Sequence, residues 1–97
     1  MLYNVLGDSM DEYQSQKELF EALKPAFKVK TTLLKKTNYN YIRDIDIWNY
    51  LKQYKWSKSI NLTISDMVND IIHINIVDVD HYLKRKIYNE EKKLNTD

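Results

Sequence analysis

The residues best placed for chemistry are three polar side chains in one short stretch, Asp66, Asp70 and His73. On a helix they occupy positions i, i+4 and i+7 and share one face, a spacing that can direct carboxylate and imidazole ligands to one divalent cation. The alternative is the solvated polar face of an ordinary amphipathic helix. Because the chain has only two histidines and no cysteine, the sequence favours the solvated face, and we expect neither a metal nor a cofactor.

The composition gives little support to other kinds of catalytic site. The single glycine, Gly7, and the single proline, Pro25, leave no glycine-rich loop for a nucleotide phosphate. The absence of cysteine removes thiol nucleophiles and disulfides, and no pattern buries a carboxylate pair for acid–base catalysis. We therefore expect a protein that is not an enzyme, takes no small-molecule substrate and works by binding.

Charge is distributed unevenly along the chain. The net charge is +1, yet residues 24–43 hold six basic residues and no acid, and residues 63–83 hold four aspartates and no lysine or arginine. On a straight helix, four lysines lie within about 40° of one another beside the apolar face. This lysine ridge consists of Lys17, Lys24, Lys28 and Lys35.

Aromatic residues just beyond the lysine ridge suggest single-stranded mRNA as a ligand. Lysines contact phosphates, while tyrosine rings and a guanidinium stack on unpaired bases. The alternative is a solvated face in which the lysines pair with Glu18 and Glu21 and the tyrosines anchor a loop. The candidate RNA-binding residues are Lys24, Lys28, Lys35, Lys36, Tyr39, Tyr41 and Arg43.

A second set of candidates combines aromatic and acidic residues in a region suited to a protein partner. Interfaces are enriched in tyrosine and tryptophan, although the aromatic residues between 48 and 56 could equally form the core and its rim. The candidate partner-binding residues are Tyr50, Tyr54, Asp66, Asp70 and His73.

An apolar stripe at helical spacing predicts a first helix around Pro25. The stripe is formed by Leu19, Phe20, Leu23, Phe27 and Leu34. Pro25 would either kink this helix or divide it into residues 12–23 and 26–36. Asp11 or Ser15 could cap its start, and Asn38 could end it in a left-handed conformation. Lys30 projects into the stripe, so we expect it to be structural, either snorkelling or paired with a carboxylate.

Start signals predict three more helices. Asp44 is the expected N-cap of the second helix, which reaches about Lys55. Thr63 and Asp66 resemble a capping box ahead of the third helix, and Asp78 restarts the chain in the fourth, which frays from residue 89. Between the second and third helices, Ile60 and Leu62 are expected to anchor a loop.

The predicted fold class is all-α, a compact bundle of about four short amphipathic helices. We expect residues 1–10 to be a loosely ordered leader and residues 11–97 to be a single helical domain. No apolar run approaches the roughly 20 residues of a membrane span, and no export signal is visible, so we expect a cytoplasmic location. The expected core residues are Phe27, Trp48, Leu51, Met67, Ile71 and Leu83.

Two short elements resemble a known family. They are the segment 44–56, with its acidic-Ile-Trp and Lys-Trp motifs, and the segment 64–71, with Val-Asn-Asp-Ile. Over residues 19–88 the chain resembles the ComN-type post-transcriptional regulators of Gram-positive bacteria, although Thr37-Asn38-Tyr39 replaces the Gly-Tyr turn usual there. The resemblance implies a small helical adaptor that acts on messenger RNA and associates with a DivIVA-type scaffold at division sites and poles.

A helix-turn-helix-like DNA-binding protein is the alternative function. The third helix would then be the recognition helix, but its outward face carries Asp66, Asp70 and His73 and no basic residue. Because contacts to phosphates dominate affinity for DNA, the acidic face disfavours this alternative.

Overall fold

Four helices account for most of the structure, a computed structural model that describes residues 15–95, with side chains up to residue 90. They are α1 (Gln16–Leu34), α2 (Asp44–Tyr54), α3 (Ile64–His73) and α4 (Ile76–Asn95), with one 3₁₀ turn at Trp56–Lys58. The all-α bundle is confirmed, although α1 and α4 are long rather than short. None of the helices in residues 15–95 has the length and apolar character needed to cross a bilayer. The expected leader, residues 1–10, lies outside the described residues.

The first helix is continuous through Pro25, so of the two alternatives left open by the sequence, a kink or a division into two pieces, the division is wrong. In a helix, the N–H of residue 25 would donate to the carbonyl of Glu21, but proline has no N–H. Pro25 and Glu21 are both exposed. Water can therefore replace the missing hydrogen bond. Buried Leu23 and Phe27 hold the chain on either side of the proline, and their packing outweighs a cost of about 3 kcal/mol for an interior proline.

The ends of α1 are satisfied by short polar side chains. Ser15 is the N-cap and accepts a hydrogen bond from the N–H of Glu18 at 3.2 Å. This confirms Ser15 as one of the two predicted caps. The other, Asp11, lies outside the described residues. At the other end, Thr37 donates both its N–H and its hydroxyl to the carbonyl of Leu34, at 2.9 and 2.7 Å. The prediction of a left-handed Asn38 is wrong, because Thr37 already satisfies this carbonyl and, in residues 15–95, only Asn61 has a positive φ outside glycine.

Capping also defines α2 and α3. Asp44 is the first residue of α2 rather than its N-cap. The N-cap is Arg43, one residue earlier, because its N–H donates to the carboxylate of Asp46 at 2.9 Å. The capping box of α3 is confirmed. Thr63 Oγ1 accepts the N–H of Asp66, and the Asp66 carboxylate accepts the N–H of Thr63, both at 3.1 Å.

The last helix begins at Ile76, two residues before the predicted restart at Asp78. The reason is Asn75, whose side-chain oxygen accepts the N–H of Val77 at 3.0 Å and thereby caps the helix. The helix continues to Asn95, past the point where fraying was expected. Its buried face ends early, however, since Val79 is fully buried whereas Ile87 is 55% exposed.

The core lies where α1 packs against α2 and α3. Five of the six predicted core residues belong to its buried cluster and Leu83 packs against it, so this prediction is confirmed; the five are Phe27, Trp48, Leu51, Met67 and Ile71. Leu62 is buried as an anchor, but Ile60 is 83% exposed, and its predicted anchoring is wrong. The positive φ of the intervening Asn61, 60°, turns the chain so that only one of the two neighbours faces the core.

A buried tryptophan links the end of α2 to α3. The Trp56 ring is fully buried and its Nε1–H donates to Asp70 Oδ2 at 2.9 Å. The other oxygen of that carboxylate pairs with Lys55 Nζ at 2.9 Å. Since a buried indole N–H requires an acceptor, Asp70 is a structural residue.

Replacing Asp70 by alanine should therefore destabilise the domain by roughly 1–3 kcal/mol, because the indole N–H of Trp56 would remain buried without an acceptor. Urea unfolding followed by tryptophan fluorescence measures this loss. Asp70→Asn retains an acceptor and should cost less. Glu21→Ala, at an exposed position, should stay within about 0.5 kcal/mol of the parent. Equal losses for Asp70→Ala and Glu21→Ala would show that the indole does not depend on this carboxylate.

Candidate functional site

A groove between α2 and the C-terminal half of α3, here called the α2–α3 groove, has a volume of about 370 Å³. Tyr50 and Tyr54 line it from α2, where a spacing of four residues places them on one face. Asp70 and His73 line it from α3. Four of the five candidate partner-binding residues therefore lie together, while Asp66 belongs to the capping box at the other end of α3.

The two groove tyrosines form a cluster with Tyr82 of α4. The ring centroids of Tyr50 and Tyr54 are 5.1 Å apart, and each lies 5.7 Å from Tyr82 in an edge-to-face arrangement. Burial is the main cause that raises the pKa of Tyr50, and the nearby Asp78 raises it further. Tyr54 is 40% exposed, so it offers the most accessible ring of the cluster.

The polar side chains of α3 are engaged within the protein. Asp66 completes a capping box, Asp70 binds Trp56 and Lys55, and His73 Nδ1 lies 2.9 Å from the carbonyl oxygen of Asn69. Among the described residues, no group of three or more acidic or histidine side chains is arranged to hold a metal ion. The α2–α3 groove therefore offers aromatic surface and shape more than free charge.

The lysine ridge is exposed along its full length, but its members differ in their contacts. Lys24 pairs with Asp44 at 3.4 Å and lies over the Phe20 ring, 5.2 Å from its centroid. Lys28 and Lys35, by contrast, form no ion pair with any residue in the described part of the chain, and the same holds for Lys36. The lysines of the ridge without an ion pair to a described residue are thus Lys17, Lys28 and Lys35, with Lys36 next to them in the chain.

The aromatic and guanidinium candidates beside the lysine ridge are bound to the protein itself. Tyr39 is partly buried and packs against the core, with its ring 6.5 Å from that of Tyr41. Arg43 lies 3.5 Å from the Asp46 carboxylate. The structure therefore brings these residues near the ridge, but in contacts expected of loop anchors.

Tyr41 is tied to α4 through Asp80. Its hydroxyl donates a hydrogen bond to the Asp80 carboxylate, whose other oxygen pairs with Lys84 at 3.0 Å. The hydrogen bond to Asp80 is the largest cause that raises the pKa of Tyr41 to about 12. The same bond, with that from Lys84, lowers the pKa of Asp80. This contact joins the α1–α2 loop to α4.

Lys30 is structural, as expected, but its partner is not a carboxylate. Its Nζ donates to the carbonyl oxygen of Ile72 at 3.0 Å, in the last turn of α3, and burial lowers the pKa of the amine. A cation is favourable at a helix C-terminus, where carbonyl groups lack partners. Lys30 thus fixes α1 to the end of α3.

Three residues near these sites were not singled out in the sequence. Asp46 and Asp80 are buried carboxylates, at 8% and 4% exposure, and Tyr82 completes the tyrosine cluster. Asp46 had a local signal, because it lies three residues after Arg43 at the start of a helix. Asp80 had a local signal only for its i,i+4 pair with Lys84. Its bond to Tyr41 and the contacts of Tyr82 with Tyr50 and Tyr54 had none, since these partners are 28 to 39 residues away.

The all-α fold and the α2–α3 groove do not by themselves identify the class of protein, and comparison with known proteins is more specific. The model of the family described as "Post-transcriptional regulator" matches residues 15–97. The chain belongs to this family of regulators. Searches of curated proteins and of solved structures returned no match.

The bond from Tyr41 to Asp80 predicts how stability depends on pH. Because the pKa of Tyr41 is raised from 10.0 to about 12, its contribution is complete below pH 10 and is lost as the pH rises toward 12. Urea unfolding at increasing pH should therefore show wild type losing more stability than Tyr41→Phe over this range. Other titrating groups affect both proteins equally, so their contribution cancels in the difference between the two free energies of unfolding. Parallel curves would contradict the proposed bond.

Proposed function

We propose that this post-transcriptional regulator is a non-enzymatic adaptor that docks a protein partner in the α2–α3 groove. The observation that supports the proposal is the convergence of Tyr50, Tyr54 and His73 on one groove between two helices. Tyrosine supplies a large, rigid contact surface and retains a polar hydroxyl for hydrogen bonding, which makes it a frequent centre of binding energy.

The state of the polar groups favours a partner that inserts an apolar or aromatic side chain. Asp70 already has two partners and His73 has one, so a charged ligand would have to displace bonds within the domain. Interface centres are typically depleted of charge and enriched in aromatic residues. The exposed ring of Tyr54 would form such a centre.

The partner is proposed to be a helical scaffold of the DivIVA type. This follows from the resemblance to ComN-type regulators of Gram-positive bacteria, and it would place the chain in the cytoplasm at division sites or poles. A helix laid into a groove is a common mode of recognition and uses anchors at intervals of three or four residues. Tyr50 and Tyr54 are four residues apart on one face of α2, so they would contact side chains on successive turns of a partner helix.

Two substitutions test this docking. Tyr54→Ala removes the exposed ring, and Asn69→Arg places a long side chain on the wall of the α2–α3 groove. Each should weaken binding to a purified DivIVA-type scaffold by at least about 1 kcal/mol, or roughly fivefold in Kd. Isothermal titration calorimetry measures the affinity, and circular dichroism checks the fold.

Ile60→Ala is the matched control, because Ile60 is 83% exposed and lies outside the groove. Its affinity should equal that of the parent. If folded Tyr54→Ala and Asn69→Arg bind the scaffold as the parent does, the partner docks elsewhere.

Contact with single-stranded mRNA along the lysine ridge is a second candidate function. It is favoured by the exposure of Lys28, Lys35 and Lys36 and by their lack of ion pairs within the described residues. The engagement of Tyr39 and Tyr41 with the protein makes base stacking there less favourable. Binding at the ridge would thus be mainly electrostatic.

Salt dependence tests the ridge. Each phosphate contact on a single strand contributes a log–log slope of about −0.7, so the combined change of Lys28, Lys35 and Lys36 to glutamine should reduce the magnitude of the slope by about 2. Fluorescence anisotropy with a labelled RNA at several salt concentrations measures it. An unchanged slope in the triple variant would make the ridge a solvated face.

A further inference from the structure

A second groove lies on the other side of Tyr54, between α2 and α4. This α2–α4 groove has a volume of about 340 Å³ and is lined by Gln53, Tyr54, Tyr82, Arg85 and Lys86, with Asn89 and Glu90 at its end. A neighbouring depression of about 490 Å³ shares Gln53, Tyr82 and Lys86 with it and extends to Lys52. The α2–α4 groove and this neighbouring depression, which adjoin at the shared residues, are together called the channel below.

The aromatic side of the channel is rigid. Tyr82 is only 8% exposed, and its ring packs edge-to-face against both Tyr50 and Tyr54 at 5.7 Å. Tyr54 is held between these neighbours yet remains 40% exposed. A ring fixed in this way loses little conformational entropy when a flat ligand stacks on it.

The basic side of the channel retains free charge. Lys84 is already paired with Asp80 at 3.0 Å. Arg85 and Lys86 are exposed and form no ion pair with any residue in the described part of the chain. The one acid in the lining is Glu90, so cationic groups outnumber it within the α2–α4 groove.

This combination differs from the lysine ridge. Beside the ridge, Tyr39 packs against the core, and Tyr41, which is 51% exposed, is held through its hydroxyl by Asp80. Here the exposed ring of Tyr54 lines the same groove as the unpaired Arg85 and Lys86. Tyrosine stacks on unpaired bases, arginine and lysine contact phosphates, and the amides of Gln53 and Asn89 supply donors and acceptors for base edges and hydroxyl groups. An acidic peptide would use the charge but not the stacking surface.

We propose that the α2–α4 groove binds single-stranded RNA, with a base stacked on Tyr54 and flanking phosphates contacted by Arg85 and Lys86. The proposal rests on the regulatory function proposed above and gives it a direct site of RNA contact. Because Tyr54 lines both this groove and the α2–α3 groove, RNA and a protein partner would both contact its ring and would compete for it.

The test is fluorescence anisotropy with a fluorescein-labelled, mixed-sequence RNA 12-mer and the full chain, at several KCl concentrations. Arg85→Gln combined with Lys86→Gln should lower the magnitude of the log–log salt slope by about 1.4, for two lost phosphate contacts. The matched control is Lys58→Gln combined with Lys84→Gln. It changes the net charge equally and should leave the slope unchanged, because Lys84 is already paired.

Stacking is tested separately. Tyr54→Leu should weaken RNA binding about 5- to 150-fold with the salt slope unchanged, as expected for one stacked base. Tyr88→Leu, at a 62% exposed tyrosine of α4 outside the groove lining, should bind as the parent does. Glu90→Gln removes the acid of the lining and should tighten binding.

Three results would overturn the proposal. The first is a salt slope for the Arg85→Gln, Lys86→Gln variant equal to that of the parent, which would show that the phosphates contact another surface. The second is equal losses in Tyr54→Leu and Tyr88→Leu. The third is displacement of the RNA by a glutamate 12-mer at equal concentration, which would indicate an acidic-peptide site. Protein docking is measured independently with Asn69→Arg, since Asn69 lines only the α2–α3 groove, so RNA binding and scaffold binding can fail separately.

Discussion

The burial of Trp56 is the constraint on which the other contacts of this domain depend. Its ring lies edge-to-face against Trp48 at 5.9 Å, and Trp48 in turn contacts Phe27 of α1 at 6.3 Å. The indole N–H cannot be buried without an acceptor, and Asp70 of α3 supplies it. Trp56 therefore links α2 to α3 directly and reaches α1 through Trp48, and the position of the α2–α3 groove follows from that packing.

The last helix is attached by fewer apolar contacts and by polar ones. Val79 enters the core, Tyr82 joins the tyrosine cluster, and Asp80 receives the hydroxyl of Tyr41. From residue 84 to residue 90 the helix lies outside the core, and Lys84, Arg85 and Lys86 are exposed. The attachment through Tyr82 creates the α2–α4 groove, and the ring of Tyr54 becomes a wall common to both grooves.

The basic residues differ in whether they have a partner within the protein. Lys30, Lys55 and Lys84 are committed to a helix C-terminus or to a buried carboxylate. Arg85 and Lys86 have no such partner in the described residues. The RNA contact proposed for the α2–α4 groove would need cations free to replace counterions at phosphates. Of these two groups, only Arg85 and Lys86 are unpaired and line a groove with the exposed ring of Tyr54.

The sequence by itself determined the helices and most of the core, because these depend on local periodicity and capping. The apolar stripe from Leu19 to Leu34 and the Thr63–Asp66 capping box are signals within a few residues, and both correspond to what the structure contains. The limits of the helices were less predictable. Thr37, Asp46 and Asn75 each replaced the expected capping residue by offering a competing hydrogen bond within the same turn.

Tertiary structure alone decided the role of the polar and aromatic side chains. Asp70 has the spacing of a ligand or surface acid in the sequence, yet it serves Trp56, 14 residues away. Tyr41 has the position of a stacking residue, yet it bonds to Asp80, 39 residues away. Periodicity gives the face of a helix on which a residue lies but not which other element covers that face. Both grooves arise from packing between α2 and its neighbours, so neither could be located before α3 and α4 were placed against it.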